Sequence, residues 1–155
     1  MNGSTSRSMT GPDNVKLFIA GEVKELYWKH DINCARTMMM TLSKCMNFHL
    51  EEQVLDAGIG MHGAGGYRAQ CGLVEGSLMF IAVYLKAAGR TDSEISDICY
   101  DFADKYKAEF ASLSCYDLRP GGFNEDDPPH LCEKLTADSI MFTYNFLNKI
   151  ITEHK

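Results

Sequence analysis

Six cysteines, Cys34, Cys45, Cys71, Cys99, Cys115 and Cys132, are the side chains of this sequence best equipped for chemistry. A thiolate is a nucleophile and a soft metal ligand, and two thiols can cycle with a disulfide. The six are not equivalent. Cys45 extends a stripe formed by Met38 and Leu42, and Cys99 stands among Ile95, Ile98 and Phe102, so both read as small buried hydrophobes. The other four fall at expected helix starts or in a loop. Cys34 follows a good helix cap, Asn33; Cys71 opens an apolar helix after a glycine-rich stretch; Cys132 lies in the first turn of the last helix; Cys115 is in the loop before it. A helix N-terminus offers unpaired N–H groups and a partial positive charge, so three of the four lie where a thiolate is expected to be favoured over a thiol.

The spacing narrows the chemistry without choosing it. The intervals of 37, 44 and 17 residues contain no CxxC, which excludes zinc-finger, thioredoxin-like and bacterial-ferredoxin patterns. A shared site for Cys34, Cys71, Cys115 and Cys132 therefore requires each to come from a different element.

Other residues could join such a site. His62 and His130 are each placed to complete a metal shell or act as a base toward a cysteine, or are simply solvated. Glu75 is one turn after Cys71 on the same face, where a carboxylate needs a partner, a raised pKa or a ligand role; an ion pair with Arg68 is the simpler expectation. Gly58-x-Gly60-x-x-Gly63 matches a dinucleotide fingerprint in letters only, because a helical segment precedes it and the region around Val83 has no carboxylate. Gly60, Gly63, Gly65, Gly66 and Gly72 instead let backbone run close beside Cys71, where N–H groups could reach sulfur, or form a plain flexible connection. Met38–Met40 resembles a soft metal site superficially, but at helical spacing the three side chains diverge and fill core and surface.

The elements that must position these residues are helical. Val15 to His30 carries Leu17, Phe18, Val23, Leu26 and Tyr27 mostly on one face. Helices are expected next over residues 34–47, as a short one over 50–57, and over 71–88, the last apolar almost all round as a central buried helix is. Thr91-Asp-Ser-Glu94 is a capping box opening a helix with Ile95, Phe102, Tyr106 and Phe110. A loop over 114–130 precedes the final helix of Leu135, Ile140, Phe142, Phe146 and Ile150. No strand pair or repeat stands out. The expectation is an all-α single domain over 15–155, a bundle of about five helices with a glycine-rich loop before a central buried helix, behind a disordered tail over residues 1–14.

The chain has 155 residues, 45% hydrophobic and 23% charged, enough apolar material for one core. Its formal charge of -6 argues against nucleic-acid and polybasic membrane binding. The N-terminus has no apolar signal region, and the longest apolar run, Leu78 to Leu85, is too short to span a membrane. The expected location is the cytoplasm, where cysteine groups serve metal or redox chemistry more often than structural disulfides.

Asn33-Cys34-Ala35, the glycine-rich stretch, and Cys71-Gly-Leu-Val-Glu-Gly76 followed by Ser77-Leu-Met79 together resemble a known family. It is the redox-active family named for a C-GCAxxG-C-C pattern, small bacterial and archaeal domains with four characteristic cysteines. Its later cysteines map onto Cys115 and Cys132, and the similarity runs from Val15 to Ile150. This sequence departs at Leu73, where the family has alanine, and at Glu75, a charge in an apolar helix. The resemblance implies a redox or cluster-binding role for the four cysteines, with no reaction specified. Three site chemistries follow: an iron–sulfur cluster transferring electrons to an unknown partner protein, a metal-free dithiol, or a structural zinc site in a partner-binding module. The apolar central helix and the Met and aromatic content are compatible with a homodimer.

Overall fold

A computed structural model describes residues 11–153. The segments run α1 (Pro12–Trp28), α2 (Cys34–Cys45), α3 (Glu52–Ala57), a 3-10 turn (Gly58–Gly60), α4 (Gly63–Gly66), α5 (Gly72–Ala87), α6 (Asp92–Phe110), α7 (Cys115–Leu118) and α8 (Glu133–Glu153). The class is all-α: the described residues form no strand, only an isolated antiparallel bridge between Gln70 and Ser114. The count of about five matches the five long helices, and the short helix expected over 50–57 is α3; α4 and α7 are single-turn additions in stretches read as loops. The expected tail falls mostly on residues 1–10, outside the described residues. Residues 12–14 are helical instead, because Pro12 at the first helical position is pre-set for a helix start.

Local signals explain the main helix starts. Asn33 caps α2 by accepting from the Arg36 N–H at 2.9 Å, and Thr91 and Glu94 form the reciprocal capping box of α6. The loop before α5 is irregular as expected. Within α4, Ala64 and Gly65 leave helical geometry, and φ is positive at Gly63, Ala64, Gly65 and Gly66. On α1 the buried residues are Val15, Ile19, Val23, Leu26 and Tyr27, whereas Leu17 is 72% exposed. The expectation that Leu17 shares the inner face is corrected: two residues beyond Val15 lies about 200° round the helix.

The central helix is α5, whose Leu73, Val74, Phe80 and Ile81 are fully enclosed and which packs against α2, α6 and α8. Helix α8 closes the bundle against α1, α2 and α5. Three buried hydroxyls on α8 clamp three other helices. Thr136 bonds Tyr27 of α1 at 2.6 Å, Ser139 bonds Tyr106 of α6 at 2.7 Å, and Thr143 bonds Ser77 of α5 at 3.0 Å. Their spacing of three and four places them on one face, and each pair satisfies both hydroxyls inside the core. No helix of the described residues is long and apolar enough to cross a membrane.

Candidate functional site

Each of the four cysteines is set by backbone at the start of a helix. Cys34 is the first residue of α2, and the amide of the capping Asn33 donates to the Gly58 and Ile59 carbonyls at 3.0 and 2.8 Å. That fastens the start of α2 to the glycine loop. Cys71 is the cap residue of α5, and Cys115 opens α7. These two are brought side by side by a short antiparallel pairing: Cys71 N–H donates to Leu113 O at 2.8 Å, Cys115 N–H to Ala69 O at 2.6 Å, and Tyr116 N–H to Arg68 O at 3.2 Å. Cys132 stands one residue before α8, and its carbonyl accepts the Thr136 N–H at 2.7 Å. The Tyr27–Thr136 bond and the Trp28 indole N–H donating to Glu133 at 2.6 Å then hold that helix start against the end of α1.

Glycine gives the thiols their room. A Cβ on Gly72 would run into Cys34 Sγ and stand 2.6 Å from Met61 O, and a Cβ on Gly63 would lie 3.4 Å from Cys115 Sγ. Gly76 lets α5 lie against α2, where a Cβ would be 2.5 Å from Ala35 O. Gly72 thus leaves room for Cys34, and Gly63 for Cys115. Gly66 faces the His62 ring, and a Cβ on Gly60 or Gly65 would meet nothing within 4 Å. The N–H groups acting on Cys71 sulfur are those of Leu73 and Val74, in the first turn of α5, and Ala35 N–H acts on Cys34.

Electrostatics overturns the thiolate expectation. Burial pushes Cys34 and Cys71 up to about 12, and burial likewise raises Cys115 and Cys132. The local N–H groups work in the opposite direction but lose, because a thiolate removed from water forfeits more than one helix turn returns. The thiols also raise one another. Cys34 feels Cys71, Cys115 and Cys132, and Cys71 feels Cys115 and Cys132, so all four lie within electrostatic reach. Two buried tyrosines share the neighbourhood: Tyr27 and Tyr106 are raised by burial and by Cys34, Cys71 and Cys132. Sequence reading placed both tyrosines only in the core; an apolar-face residue with a polar tip was the available signal. Among the described residues, no three Cys, His, Asp or Glu side chains form a shell for a single metal ion, and all six cysteines are free thiols.

Raised thiols make a stability prediction. Cys34 and Cys71 stay protonated in the fold up to about 12, whereas the unfolded chain ionises them from about 9.0. Their contribution is therefore fully present below pH 9 and is lost as pH climbs toward 12, at up to about 1.4 kcal/mol per pH unit for each thiol. Tyr27 and Tyr106 act in the same direction at still higher pH. Denaturant midpoints of the metal-free protein should be flat from pH 7 to 8.5 and fall steeply by pH 10.5; a flat profile throughout would refute the burial of these thiols.

The secondary candidates separate. His62 is exposed, its ring 3.1 Å from Ile59 O. Glu75 is half-buried with Oε2 sealed from solvent and without a partner; burial raises its pKa against the pull of Ala64 N–H and the His62 charge, and its own charge raises Cys115. The expected Arg68–Glu75 pair does not form, because the Arg68 guanidinium stands over the Phe123 ring at 4.2 Å. His130 stacks on Tyr27 and meets Trp28 edge-on, at centroid distances of 4.9 and 4.8 Å, with its Nε2 3.8 Å from Asp31. Its carbonyl accepts the Glu133 N–H at 3.0 Å, just beyond Cys132. Cys45 and Cys99 are half-buried against the core, and burial raises Cys45 to about 11. Met38 and Met39 are core, and Met40 is half-buried.

A protein-family model described as "Putative redox-active protein (C_GCAxxG_C_C)" matches residues 32–146, a span holding all four of these cysteines. No curated protein and no solved structure matches the chain.

Proposed function

The chain belongs to the redox-active C_GCAxxG_C_C family, and from that membership we propose that Cys34, Cys71, Cys115 and Cys132 together hold an iron–sulfur cluster used for electron transfer. The observation that carries the reading is that four thiols from four separate helix starts lie within electrostatic reach in one region of the fold. The donor set fits: thiolates suit soft, electron-rich iron–sulfur centres, and such a cluster supplies a one-electron couple when bound.

The chain's own residues do the rest. The first turns of α2 and α5 bring N–H groups to the Cys34 and Cys71 sulfurs and offset the negative charge of a thiolate site. Gly72 and Gly63 hold side chains out of the space beside Cys34 and Cys115, and the apolar core beneath excludes water. Binding must displace the thiol protons, so loading is steeply favoured by rising pH. The setting is a reducing compartment, the cytoplasm in the simplest case.

One observation favours a second reading. The pairing of residues 69–71 with 113–115 sets Cys71 beside Cys115. Joining their sulfurs as a disulfide would release two electrons and two protons to an acceptor dithiol-disulfide partner.

The test is the near-ultraviolet and visible absorption of protein purified without oxygen. A broad visible band that dithionite bleaches is the expected result. A featureless spectrum from freshly reconstituted protein overturns the cluster, and a free-thiol count that rises by two on reduction then establishes the disulfide couple.

A further inference from the structure

Two pairs of buried hydroxyls beside the four cysteines each leave one proton without an acceptor. The Tyr27 hydroxyl meets Thr136 Oγ1 at 2.6 Å and the Tyr106 hydroxyl meets Ser139 Oγ at 2.7 Å, and all four side chains are buried. Two hydroxyls carry two O–H donors, and the bond between them uses only one. Among the described residues neither pair has a second acceptor. The pair Ser77 and Thr143 differs. Ser77 donates to Leu73 O at 2.7 Å and Thr143 to Ser139 O at 2.8 Å, so both of its protons are already placed. A buried O–H with no acceptor is destabilising, and native interiors hold few of them.

The position of the first two pairs identifies the missing acceptor. Thr136 and Ser139 follow Cys132 by four and seven residues, on a face whose first turn is closed by Thr136 N–H on Cys132 O at 2.7 Å. Tyr27 stacks on His130, two residues before Cys132. Beyond burial, the thiol that acts most on Tyr27 is Cys34 and on Tyr106 is Cys71, while Cys132 acts on both. An anionic sulfur in that space is the acceptor that gains most, because hydrogen bonds to an ion are the stronger ones. A phenol is a stronger acid than an alkyl hydroxyl. Thr136 and Ser139 therefore give their protons to the tyrosine oxygens, and the phenol protons turn to sulfur.

We infer that Tyr27 and Tyr106 donate hydrogen bonds to sulfur in the four-cysteine centre and raise its reduction potential. The inference rests on the cluster reading of those cysteines. Reduction adds one electron and increases the negative charge on sulfur; no bond breaks, the proton stays on the phenol oxygen, and the hydrogen bond strengthens in the reduced form.

Anaerobic redox titration of the coloured protein with dithionite tests it. Tyr27→Phe and Tyr106→Phe should each keep iron and colour. Each should lower the ratio of reduced to oxidised centre at a fixed potential about tenfold, a fall of about 59 mV for a one-electron couple. Ser77→Ala breaks the pair that has no proton to spare and should leave the ratio within twofold. Protein made with a ring-fluorinated tyrosine, a stronger donor that keeps every hydroxyl even where a Phe variant fails to fold, should move the ratio upward. A ratio within twofold of wild type in either Phe variant, as when a buried water takes the proton, overturns the inference. An equal fall in Ser77→Ala, or a fluorinated protein that is unmoved or shifted downward, overturns it as well. A featureless wild-type spectrum removes the cluster reading and the inference together, whereas coloured Phe variants with unmoved midpoints remove the inference alone.

Discussion

Gly76→Ala is expected to destabilise the protein by about 3 kcal/mol, lowering its melting temperature by about 10 °C. The added Cβ would stand 2.5 Å from Ala35 O and 2.9 Å from Ala35 Cα, both backbone atoms of α2 that cannot rotate away. Helices α2 and α5 would have to separate, and that contact is what positions the first two cysteines. Gly72→Ala is the companion variant. Its Cβ would collide with Cys34 Sγ and meet Met61 O at 2.6 Å, so the thiol must turn out of the site even where the fold survives. Gly60→Ala, with nothing within 4 Å of its Cβ, should melt within about 1 °C of the wild type. Gly21→Ala, an open position inside α1, should melt slightly higher, because alanine is the better helix former by about 1 kcal/mol. Thermal melts of the four variants check the ranking, and a Gly76→Ala protein as stable as Gly60→Ala would refute the close packing of α2 on α5.

Serine at Cys34, Cys71, Cys115 or Cys132, one at a time, should lower the bound iron per chain at least tenfold and abolish the visible band. The hydroxyl is a hard donor that stays protonated at neutral pH, where the site calls for a soft anionic one. Cys45→Ala and Cys99→Ala should keep both iron and colour. Those two thiols fill space at the core edge, and neither acts on any of the other four. Iron analysis and absorption of the six variants, prepared without oxygen, decide the matter. Loss of colour in Cys45→Ala at unchanged stability, or its retention in any one of the four serine variants, would break the assignment of four equal ligands.

Much of the fold was legible because its signals are local. The Asn33 cap, the Thr91–Glu94 capping box and the apolar run of α5 each act within one or two helical turns, and each appears where the sequence puts it. The glycine loop was legible too, since positive φ at Gly63, Gly65 and Gly66 is a demand that glycine meets without strain. Less visible were the single-turn helices, α7 above all, where Cys115 opens a turn that has no periodicity to read. The hydroxyls of Thr136, Ser139 and Thr143 were missed because a small polar residue on a helix looks solvent-facing until Tyr27, Tyr106 and Ser77 are seen opposite it.

For the candidate site, sequence by itself put Cys34, Cys71 and Cys132 at helix starts and Cys45 and Cys99 on apolar stripes, whereas Cys115 read as a loop residue and opens α7. It also pointed to the family. Only the tertiary structure decided that Cys71 and Cys115 are neighbours, through a three-residue backbone pairing between segments more than 40 residues apart. It likewise showed that Gly72 clears space for Cys34, which is distant in sequence. The same division explains the corrected thiol chemistry. A helix dipole is built from adjacent residues and can be inferred from the chain, but desolvation depends on everything that packs around a sulfur. At Cys34 and Cys71 that surrounding protein comes from distant helices, and its effect exceeds that of the local N–H groups.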